Sequence, residues 1–426
     1  MPPVVPLVNV TPIYSAGKLP RMNETQLVYA LVELPAPGVT EESAPSALNV
    51  SLVLDCSTSM KGDRIETVKV TTIEIIRKLR PQDILSIVTF SDRAAVLLPA
   101  RPRSDVRKVE ISIHMLGTGG GTEIYQGLKA GYDEVQKCAT SSSVNHIILL
   151  TDGHTYGDEA QCLSLAKIAQ EQGIGISGLG VGSEWNDALL DQLAGSTGGS
   201  TVYIARDQDI KRFLEQKFYR LGQIYANSVS HRFKREPGVE LQYAFCLQPE
   251  PGCLELNQED GQWALEIGNI SMDLSLSFIL EFQINPIPTD AAEVTLADGP
   301  LTMDILSTLA VDYSRRLTLA RLVCSATEPE MPPAVIIQAL SRLTLYRMQE
   351  RARQDISADN IPEATRRLKS LAMHLFSQEE CDLVCTVLQE VQYVQQTHAL
   401  SATGGKHMKY GTRNLLLPAS IEDGQP

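Results

Sequence analysis

Apolar residues recur along this chain in more than one rhythm, and each rhythm marks a different stretch. Between residues 48 and 222, short and fully apolar runs alternate with segments whose apolar positions fall three and four apart. Residues 48–54, 84–90, 94–98, 146–150, 174–181 and 201–204 read as strands, with 84–90 and 94–98 close enough for a hairpin. Ile65, Val68, Thr72, Ile75, Ile76 and Leu79 share one helical face until Pro81 ends it. Further helices are predicted over 122–137, 159–172, around 187–194 and over 207–219. Strands apolar on both faces, alternating with amphipathic helices, specify a doubly wound α/β domain with a mostly parallel sheet.

From about 226 to 285 the rhythm changes to alternation, with turn clusters at 249–252 and 259–261, the pattern of antiparallel β structure. The early strand at 26–34 has no role in a parallel sheet, so it is predicted to pair with these later strands. The α/β domain then becomes an insertion in a β-sandwich. From 302 to 398 helical spacing returns, with apolar faces at Leu306, Leu309, Leu317 and Leu322 and further helices over 335–353, 362–376 and 378–396. Three or four antiparallel helices fit. The expected organisation is sandwich strands in 1–47, the α/β domain in 48–222, the rest of the sandwich in 223–300, a helical bundle in 301–400 and a flexible tail in 401–426.

Composition narrows the classes of function. The 426 residues hold 37 basic and 51 acidic side chains, a net charge of −14, which argues against a surface devoted to nucleic acid or to anionic lipid. No run approaches the roughly 18–20 apolar residues of a membrane-spanning helix. The opening residues lack the pattern of a secretory signal. The eight cysteines are dispersed without a CxxC pair, so a zinc ribbon or dithiol centre is not expected. Cys381 and Cys385, four apart on a predicted helix, read as small apolar positions. A cytoplasmic location is the simplest expectation.

The candidate chemistry lies at strand ends. Asp55, Ser57 and Ser59 follow the first α/β strand. Thr122 stands after a glycine-rich turn, Gly117-Thr-Gly-Gly-Gly121, just before a helix, and Asp152 sits in Thr151-Asp-Gly153 at the end of another strand. Loops at the carboxyl ends of the strands line the ligand crevice of such a fold. Two carboxylates among neutral hydroxyls suit a hard cation such as Mg²⁺, and leave it under-neutralised, so that it attracts a carboxylate from outside.

These positions, in this order, resemble the von Willebrand factor type A domain with its metal-ion-dependent adhesion site, over about residues 48–222. The surrounding Val53-Leu-Asp-x-Ser-x-Ser-Met-x-Gly62 is the form common in bacterial and other intracellular members. The resemblance implies that Ser57, Ser59 and Thr122 ligate the ion directly and that Asp55 and Asp152 act mainly through water. The sixth position goes to an Asp or Glu of a partner protein. Mg²⁺ is the expected ion, with Ca²⁺ or Mn²⁺ as alternatives, and Asp92 resembles a frequent family position near the metal edge, behind the direct ligands. The expected function is a non-enzymatic adaptor or scaffold, with an ATPase or signalling complex as the kind of assembly it serves.

Two other classes compete. A metal-dependent hydrolase or phosphatase needs a general base, for which Asp92, Glu123 and His154 are on offer. A metal-independent scaffold uses Ser57 or Ser59 merely as a helix cap. The glycines of Gly178-Leu-Gly-Val-Gly182 lack nucleotide-loop spacing and read as structural. The basic run from Arg342 to Lys369 reads as a solvated helix face. In the tail, Thr412 beside Arg413 suggests a recognition or phosphorylation segment, against the plainer reading of a disordered end.

Overall fold

The computed structural model describes residues 10–38, 46–102, 106–155, 157–254, 256–259, 262–288, 291–306, 310–325 and 331–416. Three strands come first: β1 (Thr11–Tyr14), β2 (Leu19–Pro20) and β3 (Gln26–Leu34). The α/β domain follows as β4 (Ala47–Asp55), α1 (Asp63–Lys78), β5 (Ile84–Phe90), β6 (Ala94–Pro102), α2 (Val106–His114) and α3 (Ile124–Lys137). It continues with β7 (Ser143–Thr151), α4 (Glu159–Glu171), β8 (Gly175–Val181), α5 (Asp187–Ser196), β9 (Thr201–Ile204) and α6 (Ile210–Gly222). The sheet order is β6-β5-β4-β7-β8-β9, parallel except for the β5–β6 hairpin. Eight of the nine β4 residues are buried, as a central strand covered on both faces must be. One face packs on α1 and α6 through Val68, Ile75, Leu214 and Phe218, the other on α3, α4 and α5 through Leu128, Leu165 and Leu190.

The sandwich is completed by β10 (Ile224–Lys234), β11 (Val239–Gln248), β12 (Gly252–Cys253), β13 (Leu256–Glu259), β14 (Gln262–Ser271), β15 (Leu276–Ile284), β16 (Glu293–Ile305) and β17 (Ala310–Cys324). One sheet runs β1-β3-β15-β11-β12 and the other β13-β14-β10-β16-β17-β2. The strand at 26–34 pairs antiparallel with β15 from Leu34↔Leu276 to Gln26↔Ile284, so the α/β domain does interrupt the sandwich.

The structure corrects the expected helical bundle at its start. Residues 302–305 and 310–324, predicted helical, belong to the β16–β17 hairpin, with Thr302 opposite Ser314 and Gly299 opposite Leu317. Alternation decides it: Leu317 and Leu319 are buried between exposed Arg316 and Thr318, whereas Leu322 points to solvent. Leu306 is buried against the α/β core, and Leu309 lies outside the described residues.

Four helices follow: α7 (Ala334–Ser357), α8 (Ile361–Ser377), α9 (Cys381–Thr397) and α10 (Ala402–Asn414). Cys381 and Cys385 are exposed and take no part in the core. The last helix replaces half of the flexible tail expected over 401–426, whose residues 417–426 lie outside the described residues. Ser401 caps it by accepting from the Gly404 N–H, and Gly404 lets the helix approach α9. A Cβ there would stand 2.1 Å from Glu390 Oε1. Thr412 is fully buried and donates to the Met408 carbonyl, so it is not an accessible hydroxyl.

Helix α10 lies on α5. Lys406 donates to the Ser183 and Trp185 carbonyls, Lys409 pairs with Asp187 and Asp191 at 2.7 Å each, and Arg413 forks onto Asp191 at 3.0 and 3.1 Å. Tyr410 packs between Trp185 and Tyr203, with ring centroids 5.9 Å from each. The basic run read as a solvated face is divided: Arg353 pairs with Asp187 and Arg347 with Glu281 of β15, both across domain seams.

Candidate functional site

All five sequence-selected residues lie at the carboxyl edge of the α/β sheet. Asp55 ends β4, and its Oδ1 accepts from the Ser57 N–H at 2.8 Å while Oδ2 accepts from the Thr151 hydroxyl at 2.7 Å. Ser57 opens a single 3-10 turn, Thr58–Met60, that carries Ser59. The two serine Oγ atoms stand 3.0 Å apart, and Ser59 donates to Asp152 Oδ1 at 2.6 Å. Neither serine caps a helix with its side chain: the cap position of α1 is Gly62, in the left-handed region at φ +99°. The capping role weighed for these hydroxyls is therefore not the one they fill.

The glycine-rich turn is stitched to this loop. Gly119 N–H donates to the Cys56 carbonyl at 2.8 Å, and the Gly120 carbonyl accepts from the Thr58 backbone and hydroxyl at 3.3 and 3.0 Å. Asp92, exposed in the β5–β6 turn, accepts from Gly121 N–H at 2.7 Å and so fixes the turn from the other side. Thr122 is buried, and its Oγ1 faces Gly153; a Cβ at that glycine would stand 2.8 Å away. The hydroxyl thus reaches Thr151-Asp-Gly153 only because residue 153 has no side chain.

Asp55 and Asp152 are 0% and 1% exposed. Burial pushes the Asp55 carboxyl above its ordinary value and the Asp152 charge adds to this, partly offset by the hydrogen bonds from Ser57 and Thr151. One feature was not found from the sequence: Arg64, in the first turn of α1, reaches back to Asp152 Oδ2 with Nη1 at 2.6 Å and to Asp207 Oδ1 with Nε at 2.9 Å. Its position two residues after Gly62 was the sole signal. The set amounts to two carboxylates and three hydroxyls, all hard oxygens of the kind that Mg²⁺ takes. Among the described residues, no three His, Cys, Asp or Glu side chains converge as a metal-holding group.

The remaining candidates behave differently. His154 is exposed, and the Cys56 thiol is pushed up to about 11 by burial, so it holds its proton at neutral pH. The glycines of β8 make room for α5: a Cβ at Gly180 would stand 2.0 Å from the Trp185 ring, and one at Gly178 3.0 Å from Leu190.

Comparison with known proteins agrees with this architecture. Residues 49–216 match the von Willebrand factor type A domain, and the chain carries that domain. Residues 334–418 match the Sll0103-like, C-terminal alpha-helical domain, which accounts for the four helices. The protein sll0103 of Synechocystis sp. is 30% identical over 245 residues, covering 56% of this chain and 58% of its own. YfbK of Escherichia coli is 26% identical over 217 residues, covering 50% of this chain and 38% of its own. This chain thus spans little more than half of the one and well under half of the other. A von Willebrand factor type A structure from Catenulispora acidiphila superposes with a TM-score of 0.75 at 14% identity, covering 95% of this chain and 96% of its own, a likeness of fold. No described helix is long and apolar enough to cross a membrane.

Proposed function

We propose that this chain is a divalent-cation-dependent protein-binding module, an adaptor or scaffold rather than an enzyme. Ser57, Ser59 and Thr122 would hold Mg²⁺ directly, with Asp55 and Asp152 acting through water. Bound there, the ion supplies Lewis acidity toward an Asp or Glu of a partner protein. The observation that carries this reading is the burial of Asp55 and Asp152 together among hydroxyls that cap no helix. Two carboxylates removed from water with so little positive charge beside them are costly unless a cation joins them.

The chain's own residues do the rest. Thr151 and the Ser57 N–H orient Asp55, Gly153 admits the Thr122 hydroxyl, and Asp92 fixes the glycine-rich turn at the rim. The test is calorimetric titration with Mg²⁺ of the wild type and Asp55→Ala, followed by affinity capture from native lysate with Mg²⁺ or EDTA. Binding in the wild type alone, with chelator-sensitive capture, is the expected result. Absence of Mg²⁺ binding to both proteins removes the metal reading, and capture unaffected by EDTA favours a metal-independent scaffold. Metal-dependent turnover in a phosphatase screen, abolished by Asp152→Ala, would replace the module by an enzyme.

A further inference from the structure

Arg64 stands where a cation is needed. Its guanidinium joins two carboxylates of unlike setting through different nitrogens: Asp152, whose side chain is fully buried, and Asp207, whose side chain is 36% exposed. Asp207 belongs to the short 3-10 turn Asp207–Asp209 that precedes α6, so the two partners come from separate loops. Both oxygens of Asp152 are engaged, Oδ1 by Ser59 and Oδ2 by Arg64. Room for the guanidinium comes from Gly182, at φ +69°, where a Cβ would stand 3.0 Å from Arg64 Nη2.

We propose that Arg64 is a tethered counter-ion of the metal site. It neutralises Asp152 when no divalent ion is present, and releases Asp152 for Asp207 alone when one binds. The inference rests on the metal reading above and adds the residue that sets affinity. A guanidinium is charged at every physiological pH, so this competition is not a pH switch. Its hydrogen bond to a buried carboxylate is charge-assisted, the stronger kind, and has to be given up for Asp152 to serve an incoming ion. Asp207 makes the exchange feasible, because the guanidinium leaves one carboxylate without losing the other.

A nearby indole provides a reporter. The Gly182 carbonyl accepts from Trp185 Nε1 at 2.8 Å, so the residue that accommodates the guanidinium also holds the ring. Trp185 is completely buried, and Trp263 is the other tryptophan of the chain.

Calorimetric titration with Mg²⁺ on the full chain separates the ideas. Arg64→Met is expected to tighten Mg²⁺ binding by about tenfold or more, the equivalent of one charge-assisted hydrogen bond no longer competing. Asp207→Asn is expected to weaken it severalfold, since the displaced guanidinium then has no second carboxylate. A merely structural Arg64 predicts weaker binding in both variants. Arg64→Lys, which keeps the charge without the fork, is expected to fall between wild type and Arg64→Met, and serves if the methionine variant misfolds. In a Trp263→Phe background, Mg²⁺ is expected to change the Trp185 emission, and to do so less in Arg64→Met. Wild-type binding that is lost in Asp55→Ala but unchanged or weakened in Arg64→Met overturns the counter-ion while sparing the metal site. No binding by wild type, Arg64→Met or Asp207→Asn overturns both.

Discussion

Two pairs of aspartates withdrawn from water to different degrees, Asp187 and Asp191 half-buried and Asp55 and Asp152 fully buried, lie in the same α/β domain and are treated in opposite ways. Asp187 and Asp191, on α5, meet Arg353, Lys409 and Arg413, three full charges within hydrogen-bond distance. Asp55 and Asp152, at the strand ends, meet hydroxyls and the single guanidinium of Arg64. Burial alone would raise Asp191, yet the charges of Arg413 and Lys409 outweigh it and hold the carboxyl down to about 2. At Asp55 burial prevails and the carboxyl is raised. The first pair is satisfied by the fold and fastens the C-terminal helix to the α/β domain. The second is left short of positive charge, and that shortage is what gives the strand ends an appetite for a cation.

The contrast is open to direct attack. The largest effect is expected for Asp191→Ala, which strands Arg413 and leaves Lys409 with Asp187 alone in a mostly buried seam, and should cost about 3 kcal/mol in urea unfolding. A loss below about 1 kcal/mol would mean that the seam is ornamental. Next comes pH. The folded carboxyl of Asp191 lies below its unfolded value of 3.8, so its stabilisation is complete above that value and fades as pH falls toward about 2. Unfolding of wild type and Asp191→Asn compared from pH 7 to pH 2.5 should converge by about 2 kcal/mol.

Asp55 runs with the opposite sign. Its folded carboxyl lies above the unfolded value, so ionisation costs stability as pH rises through the folded value, and acidification recovers it. Asp55→Asn is accordingly expected to be neutral or stabilising by about 1 kcal/mol without divalent ions, as measured by thermal unfolding in EDTA. Strong destabilisation there would erase the distinction between the two pairs. The smallest effect serves as baseline: Glu363→Gln weakens pairings within α8 to Arg366 and Arg367, the latter still held by Asp355, and should leave the unfolding midpoint nearly unchanged.

What the amino-acid order made legible follows from the range of each interaction. The doubly wound sheet and the candidate oxygens of residues 55–59, 122 and 152 were readable because strand, loop and helix succeed one another within a few residues. Arg64 was not, because nothing local says that a helix residue turns back to Asp152, 88 positions on. The β16–β17 hairpin was misread because Leu306, Leu309, Leu317 and Leu322 can be fitted to a helix, and only the sheet partner brings out the alternation of Leu317 and Leu319. Helix α10 was missed for a related reason. Its seam is built from Lys406, Lys409, Tyr410 and Arg413, residues that look solvated until α5 and the loop before it, some 220 positions earlier, supply their partners.

The interruption of the sandwich also sets a timetable for synthesis. Leu34 of β3 leaves the ribosome about 240 residues before Leu276, the residue it pairs with in β15. At translation rates of about 5–20 residues per second, that strand waits on the order of 12–50 seconds for its neighbour. The strand that carries Val28, Ala30, Val32 and Leu34, all buried in the finished molecule, lacks its β15 neighbour throughout. The inserted domain has its own sheet and cores, and can fold in that interval, carrying the ends of the chain toward each other. The nascent chain is therefore most in need of a chaperone before β15 emerges, and a pause placed after residue 222 would lengthen the exposure without helping the inserted domain.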